Sequence, residues 1–315
     1  PELDAIDGGL GLAPMETDRA GDEGSPLSFT LSVLDIPGAT VETFHPKAVH
    51  LYGNTLYVAN DAPGHYSLEV FDVSSGNVRH VKSMVEWMNG DKKETFAGEP
   101  NGVTRSYGKI YVTNTGSRTD VFDAETYEFI TCIGTGTWGE GGYQTVHAFD
   151  VTASQGAVFI RDKRKLVVVL EQDVQPGSAA RVPIYSRSVN LQEAMGTYAV
   201  AARNDGFLYV TAQNKNMIYL FDPADIRAGD TGFAPYLVAL GFDKSPQSIA
   251  FVGDRLFVTL RVDDKRSELW EISPKNGKLL QDFTDSMVYP EKIAGARHTL
   301  LVVDRATQTV KAIGL

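Results

Sequence analysis

Several absences narrow this chain before anything present is read. It has one cysteine in 315 residues, Cys132, so no intrachain disulfide can form. The setting Phe129-Ile130-Thr131-Cys132-Ile133 reads as a strand, where a thiol is a buried small hydrophobe and not a nucleophile. Cysteine usage therefore leaves the compartment open. No stretch approaches the roughly 18 consecutive apolar residues that a membrane-spanning helix needs. Positive charge is short, with 29 Lys and Arg against 40 Asp and Glu, a net −11 and a pI near 5.0. No basic run exceeds Lys163-Arg164-Lys165. Releasing counterions from phosphates takes a basic patch, so nucleic acid and anionic membranes are set aside as partners. Also missing are a Gly-x-Ser-x-Gly elbow, a His-Glu-x-x-His helix, a phosphate-cradling Gly-x-x-x-x-Gly-Lys-Ser/Thr loop and a Cys-x-x-Cys-His haem site. Helical periodicity is almost absent.

What is present begins with residues 1–26, rich in Gly, Asp and Glu (Asp7-Gly8-Gly9, Asp18, Asp22-Glu23-Gly24) and without period. That composition suits a solvated tether. The start at Pro1 without Met suggests a leader upstream. The expectation is a tether joining a lipid anchor or signal peptide to one domain, residues 27–315, displayed outside the cytoplasm.

The domain repeats internally. An apolar run ending in a polar residue recurs as Leu56-Tyr57-Val58-Ala59-Asn60, Ile110-Tyr111-Val112-Thr113-Asn114 and Val158-Phe159-Ile160-Arg161-Asp162. It returns as Leu208-Tyr209-Val210-Thr211-Ala212, Leu256-Phe257-Val258-Thr259-Leu260 and Leu300-Leu301-Val302-Val303-Asp304. Start-to-start spacings run from 44 to 54 residues, the length of a propeller blade of four short strands. Turn pairs such as Gly53-Asn54, Tyr107-Gly108 and Asp205-Gly206 precede the copies. Acidic turns follow the next strand, at Asp72, Asp123 and Asp222. The reading is an all-β, six-bladed propeller. Its sixth copy ends after three strands, and the orphan period-two segment Ser28–Asp35 is expected to supply the fourth, closing the ring. A closed ring has few edges, so a monomer is expected.

Tyr111-Val112-Thr113-Asn114-Thr115-Gly116-Ser117, followed by Val121-Phe122-Asp123-Ala124-Glu125-Thr126, resembles the repeat unit of YncE-like and NHL-type propellers. The resemblance covers residues 28–315 and is cleanest in this one blade. It implies the fold and leaves function open, since such propellers host binders, scaffolds, lactonases and lyases.

Propeller geometry sends two loops of each blade to one face: the entry to the inner strand and the turn between second and third strands. The entries offer His45, Asn101, Gln144, His147, Tyr198, Gln247 and Glu291, and the turns Asn60, Asp61, Asn114, Arg161, Asp162, Gln213, Arg261, Asp304 and Arg305. Any site is expected there. Segments 85–99, 134–146, 186–197 and 227–245 exceed hairpin length and are expected to rise over the same face. Trp138 and Tyr143, in a Gly-rich stretch, can stack on a sugar ring, although Trp138 and Trp87 read first as packing residues.

Glu99-Pro100-Asn101-Gly102 is similar to a segment of the gluconolactonase family. That likeness implies a Ca²⁺ or Mg²⁺ ion held by Asn101, with Asn114, Asp162 and Glu291 as companions. A virginiamycin B lyase-like reading would use His45 or His147 as general base. Two functions stay open. The favoured one is a module binding a glycan, peptide or protein at the mouth, and the alternative is a metal-dependent lyase or hydrolase there.

Overall fold

The computed structural model describes residues 25–74, 76–134, 136, 145, 147–162, 166–176, 199–222, 238–296 and 298–315. After β1 (Phe29–Leu31), the chain builds six antiparallel sheets in sequence around a central channel. Blade one is β2 (Pro46–Tyr52), β3 (Thr55–Asn60), β4 (Ser67–Asp72) and β5 (Arg79–Met84). A separate hairpin, β6 (Glu86–Asn89) and β7 (Lys92–Thr95), precedes blade two. Blade two is β8 (Pro100–Ser106), β9 (Lys109–Asn114), β10 (Arg118–Asp123) and β11 (Phe129–Ile133). Blade three shows β12 (Ala148–Ser154), β13 (Ala157–Asp162) and β14 (Leu166–Leu170) among the described residues. Blade four is β15 (Val200–Ala202), β16 (Leu208–Ala212), β17 (Met217–Phe221) and β18 (Val238–Gly241). Blade five is β19 (Ser245–Val252), β20 (Arg255–Arg261), β21 (Ser267–Ile272) and β22 (Leu279–Asp282). Blade six is β23 (Pro290–Ala296), β24 (Thr299–Asp304) and β25 (Thr309–Gly314), with β1 paired to β25 on the outside. The strand part of the orphan segment is short, because Ser32 caps a 3₁₀ turn over Val33–Asp35.

Alternation along each strand explains the packing. Successive side chains point to opposite faces of a blade, and each face meets a different neighbour. In β9, Ile110 and Val112 pack with blade one, whereas Tyr111 joins the cluster shared with blade three. Six buried clusters result, one at each junction of neighbouring blades. Fully buried second-strand residues such as Leu56, Val58, Leu208 and Leu256 each contribute about 1.5–3 kcal/mol by leaving water. Tight packing near the axis also needs a missing side chain. A Cβ on Gly295 would stand 1.8 Å from the carbonyl oxygen of Phe251 in the neighbouring blade.

One irregularity repeats and positions the site. At the start of the inner strand, the pairing slips by one residue between Pro46 and Ala48, Pro100 and Gly102, Ala148 and Asp150, Pro246 and Ser248, and Pro290 and Lys292. A β-bulge leaves its extra residue out of the ladder and re-aims its side chain. The bulged residues are Lys47, Asn101, Phe149, Gln247 and Glu291.

Candidate functional site

All five bulged residues line one cavity of about 560 Å³ at the face where the inner strands begin, here the upper mouth. Thr115, Gln213 and Arg305, each just past the end of a second strand, complete its rim with Arg261, Asp264 and Glu99. Tyr289 and Lys292 flank Glu291 in sequence and also line it.

Charge is distributed unevenly within the mouth. Glu291 lies 3.0 Å from Lys47 and 3.4 Å from Arg305. Burial opposes its ionisation, but Lys47, Arg305 and Lys292 together hold its carboxyl below the ordinary range. Asp61, 4.0 Å from Lys47, moves the other way: burial lifts it, Lys47 opposes, and Glu291 and Glu99 add repulsion. Arg261 pairs with Asp264 at the exposed rim. Among the described residues, three polar atoms on lining residues have no hydrogen-bond partner: Asn101 Nδ2, Gln247 Oε1 and Glu291 Oε2. Asn101 and Gln247 are only 5% and 8% exposed, so their unpaired atoms are shielded from bulk water. Gln247 donates through Nε2 to Tyr289 Oη at 3.5 Å.

The next residue along the inner strand lies one step further from the mouth. It is small in four blades (Ala48, Gly102, Ala199 and Ser248), Asp150 in blade three and Lys292 in blade six. Blades three and six face each other across the ring, and Lys292 Nζ reaches over to Asp150 at 3.4 Å and to the Phe149 carbonyl at 3.3 Å. Burial lifts the Asp150 carboxyl and lowers the Lys292 amine, each partly offset by the other.

The sequence-derived candidates divide. Asn101, Gln213, Gln247, Arg261, Glu291 and Arg305 line the cavity, and Asp61 stands beside it. Asn60, Asn114, Arg161, Asp162 and Asp304 do not. They lie at the ends of second strands, Arg161 one residue before the last, and are buried inside blades. Asn60 accepts from the His45 amide at 2.7 Å and donates to the Thr43 and His65 carbonyls. Asp304 accepts from the Val288 and Tyr289 amides, both at 2.9 Å. Asn114 turns to Asp120 at 2.9 Å. Burial depresses the Arg161 guanidinium to about 9, with Asp162 opposing. Asn60 and Asp304 thus tie down mouth loops, and the cavity is lined instead by Thr115 and Arg305, the residues after Asn114 and Asp304. His45 lies 3.1 Å from the Val41 carbonyl and His147 sits near the Phe149 ring; neither lines the cavity. Trp138, Tyr143, Gln144 and Tyr198 lie outside the described residues. So do most of the long segments except 85–99, which forms the β6–β7 hairpin. Its Trp87 packs against Phe96, Phe122 and Phe129, as its packing reading has it.

Sequence reading missed Lys47, Phe149 and Lys292, which lie two, two and one residues beyond His45, His147 and Glu291. The signal was available: Pro46-Lys47, Pro100-Asn101, Pro246-Gln247 and Pro290-Glu291 share a Pro before the bulged position.

An ion held by Asn101, Asn114, Asp162 and Glu291 does not fit this arrangement. Asn114 and Asp162 are committed inside blades two and three, and Glu291 is already held by two cations. Among the described residues no three His, Cys, Asp or Glu converge as metal ligands.

No protein-family model matches the chain, and no curated protein sequence does either. Solved structures share the fold. Virginiamycin B lyase from Staphylococcus aureus is similar with a TM-score of 0.57 at 12% identity, over 91% of this chain and 99% of that one. A putative 6-phosphogluconolactonase from Bacteroides fragilis gives 0.53 at 15% identity, over 85% and 79%. The β-propeller domain of Cps50 (Swd1) from Myceliophteria thermophila gives 0.55 at 12% identity, over 88% and 99%. At such identities the likeness is one of fold. The chain is a six-bladed β-propeller, and its function has to be argued from its own mouth.

Proposed function

We propose that this propeller is a binding module, displayed outside the cytoplasm, that takes a glycan in its upper mouth. The observation carrying this is the trio of unpaired polar atoms on Asn101, Gln247 and Glu291, supplied by three different blades. A buried polar atom without a partner costs about 1–3 kcal/mol, so a ligand that satisfies three of them gains both affinity and orientation. The trio calls for a donor at Glu291, whose carboxyl is kept ionised, and for donors or acceptors at the two amides. A sugar hydroxyl both donates and accepts, so it meets either orientation of each amide. Phe149 adds apolar surface for the C–H face of a ring. Among the described residues neither His45 nor His147 lines the mouth, so the lyase or hydrolase alternative loses the two bases offered for it, and two of its four candidate metal ligands, Asn114 and Asp162, are buried inside blades.

A glycan array followed by calorimetry on the full chain tests this reading. Wild type is expected to bind a defined glycan, and Asn101→Ala with Gln247→Ala to weaken it at least tenfold without lowering the melting temperature. Elemental analysis and melting with EDTA run beside it. A stoichiometric divalent ion whose removal lowers the melting temperature would return the metal-dependent alternative to first place.

A further inference from the structure

The other end of the channel holds a second cavity, of about 220 Å³, where the inner strands end. In strand order it lies beyond the Asp150–Lys292 bridge: β12 passes from Phe149 and Asp150 above to Thr152 and Ser154 below, and β23 from Lys292 to Gly295 and Ala296. Its lining differs in kind from that of the upper mouth. Its charged and titratable side chains are Arg105, Arg203, His50, Tyr52 and Tyr107, with no Asp or Glu among the described lining residues, on a chain whose net charge is −11. Hydroxyls from blades two and three (Thr104, Ser106, Thr152 and Ser154) face the same space.

Arg105 is the distinctive member. Its guanidinium carbon lies 3.4 Å from the centre of the Tyr52 ring, which fixes the plane of the fork. Its Nη1 is buried, and among the described residues it has no acceptor and no carboxylate pairs with it. Its charge is felt nearby, where it opposes the burial that lifts the Tyr57 and Tyr127 phenols. Arg203, by contrast, is taken up by Asp205, whose carboxylate accepts from Nε at 2.9 Å. A guanidinium presents its donors in a planar fork that matches the oxygens of a carboxylate or a phosphate, and stacking on an aromatic ring holds that fork ready. Hydroxyls around it can donate to the remaining oxygens of an anion, and the guanidinium charge disfavours a cation.

We propose that the lower mouth is a second binding site, independent of the upper one, for a small oxyanion anchored by Arg105. Titration of the full-length chain with inorganic phosphate, and separately with citrate, at constant ionic strength tests it, read by calorimetry and by backbone amide shifts. A saturable response to either anion is expected, with shifts centred on residues 104–106 and 152–155; which anion binds tells phosphate from carboxylate ligands. Arg105→Met keeps the stem on Tyr52 and removes the charge, and is expected to weaken binding about tenfold or more. Arg105→Lys restores part of the loss, and Asn101→Ala in the upper mouth leaves anion binding unchanged. No saturable response to either anion, equal binding by Arg105→Met, or shifts confined to the upper mouth would overturn the proposal. Wild-type shift mapping decides the matter even if the Arg105 variants fail to fold.

Discussion

At the scale of single residues, position along a strand decides role more than chemistry does. Asn60 and Asp61 are adjacent and both polar, yet Asn60 is 1% exposed and ties down the loop at 43–45, while Asp61 stands by the mouth beside Lys47. Asp304 and Arg305 repeat the division. The sequence makes the polar end of each second strand legible, but residue type alone does not say which of two neighbours turns inward. Asp120 shows the same rule carried further. It is fully buried, and burial pushes its carboxyl up to about 7 despite Arg118 at 2.6 Å and Asn114 at 2.9 Å. In the unfolded chain an aspartate titrates near 3.9. The folded form therefore binds the proton more tightly, and this group's contribution to stability is lost as pH rises from about 4 to about 7. Urea unfolding at several pH values should show Asp120→Asn removing a slope of at most about 1.4 kcal/mol per pH unit from the difference against wild type. Parallel curves for the two proteins would show that Asp120 is ionised throughout.

Among elements, the second strands and hairpins were the legible part, because each core-facing run is apolar throughout and each tight turn carries its own signature. Tyr107-Gly108 and Gln155-Gly156 have positive φ at both residues, as two-residue hairpins demand. The bulges were not legible as such. A bulge is a mismatch between two strands, and it leaves in one strand only the faint mark of a preceding proline. The β6–β7 hairpin was also hidden: segment 85–99 has the length of a loop, and only tertiary contact of Trp87 with Phe122 shows where it docks. Arg118 holds the same hairpin through Glu94 at 2.8 Å. Ring closure rests on three residues of β1, and Leu31 is fully buried among blade-six and blade-one side chains. Leu31→Ala is expected to destabilise by about 2–5 kcal/mol in chemical denaturation, because the strand is too short to spread the loss. A cost below about 1 kcal/mol would mean that the outer strand contributes little to closure.

For the whole molecule, stability is distributed around six junctions, and the bridge from Lys292 to Asp150 and the Phe149 carbonyl crosses the middle. Removing one member strands the other as a buried charge, so Lys292→Met should cost about 3–5 kcal/mol, while Lys292→Met with Asp150→Asn should recover much of it. Additive losses in that cycle would show the two residues acting separately. Architecture at this scale was the most legible level of all, since a repeat of 44 to 54 residues counted six times leaves few folds to consider. Chemistry was the least legible, because the mouth draws one residue from each of several distant segments.

The bridge bears on traffic as well as on strength. A ring of blades invites the picture of a pipe, yet with Lys292 laid across its bore this one is a pair of cups set base to base. The bridge sets the two cups apart, so each opens on its own face of the ring and can be offered to a different surrounding.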